Sequence, residues 1–240
     1  MNALLIAGTD TDVGKTVLTS ALAAYWQTYC ASQTLGIMKP FQTGVGDREH
    51  YLSLFDLDQP LDELNPVYFE APLALPVAAE REGNRVKPEI AWQAFEVLRQ
   101  RRDFVLVEAL GGLGSPITHT TTVADLAWDW HLPVVLVVPV RLGAIAQAVA
   151  NVALARQSRL HLKGIVLNCV QPCSEGEVEQ WASASLIQSL TDVPVVGLIP
   201  HLARDGGFSG GLLRSDRAKL TQIASNLELE RLIPVLYESL

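Results

Sequence analysis

Residues 3–16 read Ala3-Leu4-Leu5-Ile6-Ala7-Gly8-Thr9-Asp10-Thr11-Asp12-Val13-Gly14-Lys15-Thr16, and this stretch decides the fold. The apolar run at its start is short and uncharged, the pattern of a strand hidden on both faces. After Thr16 the spacing changes: Val17, Leu18, Ala21, Leu22 and Tyr25 recur at helical intervals. Between strand and helix stands a phosphate-binding loop. Gly14 lets backbone N–H groups close around an anion, and the helix N-terminus adds its positive dipole. Lys15 reaches the terminal phosphates, and the Thr16 hydroxyl can bind Mg2+. The usual opening glycine falls at Thr9, with Gly8 one place early. The setting, buried strand before and amphipathic helix after, separates this loop from a chance match.

The same alternation runs outward along the chain. Apolar, β-branched-rich runs at 35–38, 104–107, 134–138, 164–167 and 193–198 predict strands. Helical patterns cover 88–101, 123–130, 144–157 and 175–190, with two further pieces over 215–240. This order predicts an α/β fold: a doubly wound, mostly parallel sheet with helices on both faces, of P-loop NTPase type. No linker-like tract interrupts it, so a single domain over 1–240 is expected. The segment 65–83, with Pro66, Pro72 and Pro76, reads as a loop excursion, and the glycine-rich stretch 205–211 as a mobile surface loop.

Composition narrows the function. Of 240 residues, 49% are apolar, and 18 Lys and Arg face 26 Asp and Glu, a net charge of −8. Nucleic-acid binding depends on basic residues neutralising phosphates, so a nucleic-acid partner is excluded. Cys30, Cys169 and Cys173 are an odd, scattered set, which argues against a disulfide framework and for a reducing cytoplasm. The longest apolar run, 132–140, contains two prolines and falls far short of the roughly 20 residues a membrane span needs. No export signal is evident at the N-terminus. A cytoplasmic protein without a membrane partner is expected.

In open parallel sheets, ligands bind beyond the carboxyl ends of the strands. Lys39 follows the strand at 35–38 and is fixed by Pro40, aiming a cation at the same crevice as the loop. Glu108 stands directly behind Val105-Leu106-Val107, the place for a carboxylate linked to Mg2+ or to water. Asn168 follows 164–167 and offers a donor and an acceptor to a purine edge.

Three further stretches complete the pattern: Lys39-Pro40 with Thr43-Gly44, Val107-Glu108 with Gly111-Gly112, and 132–143 ending in Leu142-Gly143. Together with 8–16 they make the chain resemble the dethiobiotin synthetase family over nearly its whole length. It departs at Glu108-Ala109-Leu110-Gly111-Gly112, where the family has Glu-Gly-Ala-Gly-Gly, so backbone approach at Ala109 is less permissive.

The resemblance implies an ATP-dependent ring closure. The family joins 7,8-diaminononanoate and CO2 into the cyclic urea of dethiobiotin, releasing ADP and phosphate. It implies Lys15 and Lys39 as catalytic residues, Lys15 bridging the transferring phosphoryl group and Lys39 the carbamate. Thr16, Asp47 and Glu108 hold Mg2+, with Glu49 or His50 as neighbours that could replace Asp47. Thr11, Asp12, Val13, Gly14, Val17 and Gly111 line the ATP site. Asn168 and Cys169, with the backbone of Pro200, His201 and Leu202, take the adenine. Thr43 meets the substrate's nitrogen end. In a homodimer, the partner's helix start at Gly143, Ala144 and Ile145 receives the substrate carboxylate. A competing reading is a partition- or switch-type P-loop ATPase acting on a protein partner. Such loops carry a second lysine near their start, where this chain has Thr9-Asp10-Thr11.

Overall fold

Along β1 (Ala3–Gly8) side chains divide by parity between two cores. Ala3, Leu5 and Ala7 enter one apolar cluster; Leu4 and Ile6 enter the other. The same division recurs in β5 (Phe104–Gly112) and β6 (Val134–Pro139). Val107 and Leu136 join the first cluster, Leu106 and Val135 the second. Successive side chains of a strand point to opposite faces, so strands apolar at every position demand cover on both sides. The computed structural model, which describes residues 2–202 and 214–233, has that three-layer arrangement.

Six parallel strands form the main sheet. β2 (Leu35–Met38) is at one edge, followed by β5, β1, β6, β7 (Leu162–Asn168) and β8 (Val195–Ile199). A separate parallel pair joins β3 (Phe41–Thr43) to β4 (Val67–Phe69). On one face lie α5 (Pro88–Arg101), α6 (Val123–Asp129) and α7 (Ala144–Gln157), whose buried residues join the first cluster. On the other, α1 (Lys15–Tyr29), α2 (Asp47–Leu54), α10 (Arg217–Ser225) and α11 (Leu229–Leu232) close the second. Each fully buried Leu, Ile or Val contributes about 1.5–3 kcal/mol, which is what keeps the sheet sealed.

Several expectations need correction. The 65–83 segment is not a plain loop: α3 (Leu61–Leu64) leads into β4, and α4 (Leu75–Arg81) follows. Pro76 sits in the first turn of α4, where its missing N–H has no intrahelical partner to lose, and Leu75, Ala78 and Ala79 are buried. β5 runs on to Gly112 because its pairing with β1 continues as far as Gly8, so Glu108 lies inside the strand rather than behind it. The helix expected over 175–190 breaks at Ser183, which caps a new start, giving α8 (Glu175–Ala182) and α9 (Ala184–Thr191). Pro194, without an N–H, stands outside β8. The glycine-rich stretch 205–211 and residues 234–240 lie outside the described residues. All three cysteines are free thiols. No helix among the described residues is long and apolar enough to cross a membrane.

Candidate active site

Because β1 lies between β5 and β6, the chain's path reverses around it and leaves a crevice at its carboxyl end. Lys15 opens α1 just beyond β1, Lys39 follows β2, and Glu108 lies opposite Ile6 of β1. Elements far apart in sequence thus place their polar groups at one end of the sheet.

The loop is braced from two sides. Gly14 has φ 100°, and a Cβ there would stand 1.9 Å from Asn168 Nδ2, so neither backbone nor space admits a side chain. Asn168 Nδ2 donates to the Val13 carbonyl at 2.8 Å. On the opposite flank, a Cβ on Gly112 would meet the Thr9 carbonyl oxygen at 2.9 Å. α1 starts with no side-chain cap and no acid in its first turn, which leaves its first N–H groups and the positive helix end for an anion.

A cavity of about 770 Å3 opens beside the loop. Asp12, Gly14, Thr16, Val17, residues 168–172 and residues 200–202 line it. Cys169 is buried there, and burial pushes its thiol up to about 11, so it is an inert lining group. A separate hollow among Leu57, Gln59, Pro60, Glu63, Arg101 and Arg102 holds none of the candidate residues.

Next to the loop, four polar side chains interlock. Lys39 Nζ donates to Glu108 Oε1 at 2.7 Å and to the Ala109 carbonyl at 3.1 Å, and it pairs with Asp47. Thr16 Oγ1 lies 3.0 Å from Asp47 Oδ1 and 3.1 Å from Glu108 Oε1. A hydroxyl has one proton and can donate to only one carboxylate at a time. The remaining contact leaves two oxygens facing each other beside the Lys39 ammonium, which meets both carboxylates. Two carboxylates and a hydroxyl are hard oxygen donors and leave about half of an octahedral shell for phosphate oxygens and water, which fits Mg2+. Among the described residues no three His, Cys, Asp or Glu side chains come together as a metal-binding group.

The ionisations follow from burial and charge. Burial opposes the Lys39 ammonium, but Glu108 and Asp47 outweigh it and hold its pKa above the usual lysine range. Asp47 is likewise penalised by burial, yet Lys39 and the Thr16 hydroxyl bring it down. For Glu108 burial wins over Lys39 and raises the pKa, with Asp47 adding to the rise. Lys15 folds back to donate to the Asp10 carbonyl at 2.9 Å. Its burial and the charge of Lys39 bring it down to about 8, against the pull of Glu108, Asp47 and Asp12.

Of the residues singled out in the sequence, Thr16, Lys39, Asp47 and Glu108 converge directly. Asp47 faces Thr16 and Lys39 because it is the first residue of α2. Glu49 instead takes hydrogen bonds from the Gly46 N–H, Gln42 and Arg48, and His50 lies 3.2 Å from Ser20 Oγ. Gly111, with φ 59°, turns beside Thr11. Pro200, His201 and Leu202 line the cavity, as do Val170, Gln171 and Pro172, which sequence reasoning missed. Thr43 ends β3, and Gly143 caps α7 ahead of Ala144 and Ile145; none of these four lines the cavity. Tyr51 was also missed: its phenol donates to Glu108 Oε2 from within the core. Its signal was its place one helical turn after Asp47.

A strand–loop–helix braced around Gly14-Lys15-Thr16, beside the buried Glu108 of a parallel sheet, defines a P-loop nucleoside-triphosphate-binding protein. A family model described as an AAA domain matches residues 2–204. The ATP-dependent dethiobiotin synthetase BioD of Gloeothece citriformis is 55% identical over 235 residues, which span 98% of this chain and 100% of the relative. That of Crocosphaera subtropica is 53% identical over 232 residues, 97% of this chain and 100% of the relative. The chain belongs to the ATP-dependent dethiobiotin synthetase family. A Pyrococcus horikoshii structure, the septum site-determining protein MinD complexed with Mg-ADP, superposes with TM-score 0.60 at 15% identity. It covers 99% of this chain and 96% of its own, and at that identity the likeness shows the fold alone.

Proposed function

We propose that this chain, acting as one α/β unit, uses ATP to close the cyclic urea of dethiobiotin from 7,8-diaminononanoate and CO2. One amine nitrogen attacks CO2 and loses a proton, giving a carbamate. A carbamate oxygen attacks the γ-phosphorus and ADP leaves. The second amine then attacks the carbonyl carbon of the mixed anhydride, gives up a proton to solvent and expels phosphate.

The observation that carries this reading is the meeting of Lys39 with Asp47 and Glu108 beside the Lys15-Thr16 loop. Carbamate and triphosphate repel each other, so bringing them into line needs concentrated positive charge. Lys15 would hold the transferring phosphoryl group and Lys39 the carbamate, as the loop N–H groups grip the remaining phosphates. Mg2+, held by Thr16, Asp47 and Glu108, would neutralise the β- and γ-phosphate oxygens. Holding both amines about one carbon contributes further, since alignment of reacting groups is worth roughly 7–11 kcal/mol. Asn168 and the residues around Leu202 line the cavity and suit a purine base.

A homodimer belongs to the same reading. The start of α7 carries no side-chain cap, and Leu142 beside it is 86% exposed, a surface suited to cover by a second copy. A cytoplasmic location accords with three free thiols.

A coupled assay for ADP release, run with and without diamine and bicarbonate, tests the reading. Turnover that requires both supports the ligase. Turnover indifferent to both favours the switch-type ATPase.

A further inference from the structure

Glu108 is gripped at both oxygens, and the second grip comes from a residue that carries no charge. Oε1 accepts from Lys39 at 2.7 Å and lies 3.1 Å from Thr16 Oγ1; Oε2 accepts from the phenol of Tyr51. Tyr51 is fully buried, and its ring packs in the apolar cluster that α2 closes against α1. A ring so enclosed has one rotameric place, which holds the phenol oxygen against Glu108. The same helix begins at Asp47, whose carboxylate meets Thr16 at 3.0 Å. One rigid turn of α2 therefore sets both carboxylates: Asp47 directly, Glu108 through the phenol.

We infer that Tyr51 is a positioning residue that fixes the plane of the Glu108 carboxylate, so that Oε1 faces Thr16 and Asp47 as a ready half-shell for a divalent cation. This inference rests on the proposed Mg2+ role of Thr16, Asp47 and Glu108. Without the phenol, the buried Oε2 loses its partner and the carboxylate turns to find another. The cation then meets a donor set that must first be reassembled. Partners that orient a ligating carboxylate in this way typically contribute about 10- to 100-fold in metal affinity.

The test is direct binding of Mn2+, which shares the hard octahedral oxygen preference. Free Mn2+ is followed by electron paramagnetic resonance with ADP-saturated protein. Tyr51→Phe keeps the ring and removes only the hydroxyl, and thermal unfolding checks that it folds. We expect Tyr51→Phe to weaken Mn2+ binding about tenfold while metal-free ADP affinity holds. Glu108→Gln should also weaken Mn2+ binding, and adding Tyr51→Phe to it should cost nothing more. Unchanged Mn2+ affinity in Tyr51→Phe, with Glu108→Gln impaired, overturns the role of Tyr51 and leaves the metal site standing. A full further loss in the double variant also overturns it, since general loosening of α2 would then be the cause. Normal Mn2+ binding by Glu108→Gln overturns the metal reading itself, and this role with it.

Discussion

Lys39 Nζ lies 2.7 Å from Glu108 Oε1, with both side chains sealed from solvent. Asp47, on the same ammonium, puts two carboxylates around one cation. Taking the cation away leaves Glu108 buried without its partner and next to the half-buried Asp47, and losing one partner of a buried pair costs about 3–5 kcal/mol. Lys39→Gln should therefore abolish dethiobiotin formation and lower the denaturation midpoint together. ADP binding, governed by the loop, should change little. Product assays, urea unfolding and ADP titration on one preparation check all three.

Lys15 gives the reaction a basic limit. In the free protein, burial and Lys39 bring its pKa down to about 8, from 10.5 in an unfolded chain. Below about 8 the ammonium is charged and attracts triphosphate; above it the folded protein has lost that proton. Nucleotide affinity should fall as pH rises through about 8, and Lys15→Gln should remove that dependence. Stability moves the opposite way, because the unfolded chain binds the extra proton between about 8 and 10.5, so this group makes the fold more stable as pH rises across that window. Titrations with a non-hydrolysable ATP analogue from pH 7 to 9.5 decide it.

Gly14→Ala should disable the loop. The left-handed φ of 100° and the 1.9 Å approach of Asn168 Nδ2 leave no place for a methyl group. Strain of about 1–3 kcal/mol falls on the backbone, and the Asn168 bond to Val13 must yield. Nucleotide affinity should drop about tenfold or more, equivalent to about 1.4 kcal/mol, as measured by calorimetry.

At the start of α2, Glu49 supplies an acid-sensitive brace. Burial works against its charge, yet the Arg48 side chain, the Gly46 N–H and Gln42 bring it down to about 2, from 4.5 unfolded. A depressed carboxylate pKa stabilises the fold above the unfolded value, and the benefit is lost as pH falls from about 4.5 through about 2. Glu49→Gln should be less stable than the parent at pH 7, with the gap closing as the pH is lowered through that window. The effect is modest because solvent screens this partly exposed side chain. Thermal unfolding across pH 7 to 2.5 gives the comparison.

Asp47→Asn should raise the Mg2+ concentration needed for half-maximal turnover about tenfold, with kcat at saturating metal reduced less. An unchanged metal titration would mean that α2 does not supply a ligand.

Much of this was legible in the sequence, for a physical reason. Buried parallel strands must be apolar at every position, so 3–7, 134–138 and 164–167 announce themselves, and any polar residue at their ends stands out. Lys39, Asn168 and the loop were visible that way. Glu108 was found but placed too late, because Ala109-Leu110-Gly111-Gly112 reads as a turn until β1 is there to pair with it. β4 and α4 were hidden by prolines, since Pro76 forbids a helix only in its interior. Tyr51 and residues 170–172 carry no pattern of their own; only the folded chain brings the phenol to Glu108 and this segment to the cavity wall.

The central claim is that a carbamate and ATP meet between Lys15 and Lys39, and the atoms themselves can report it. Under single-turnover conditions with bicarbonate and CO2 labelled with oxygen-18, the carbamate oxygen that attacks the γ-phosphorus leaves with the phosphate. Mass spectrometry should then find one labelled oxygen in each phosphate formed with dethiobiotin. Phosphate released without label would show that water, not carbamate, takes the phosphoryl group, and would contradict the account.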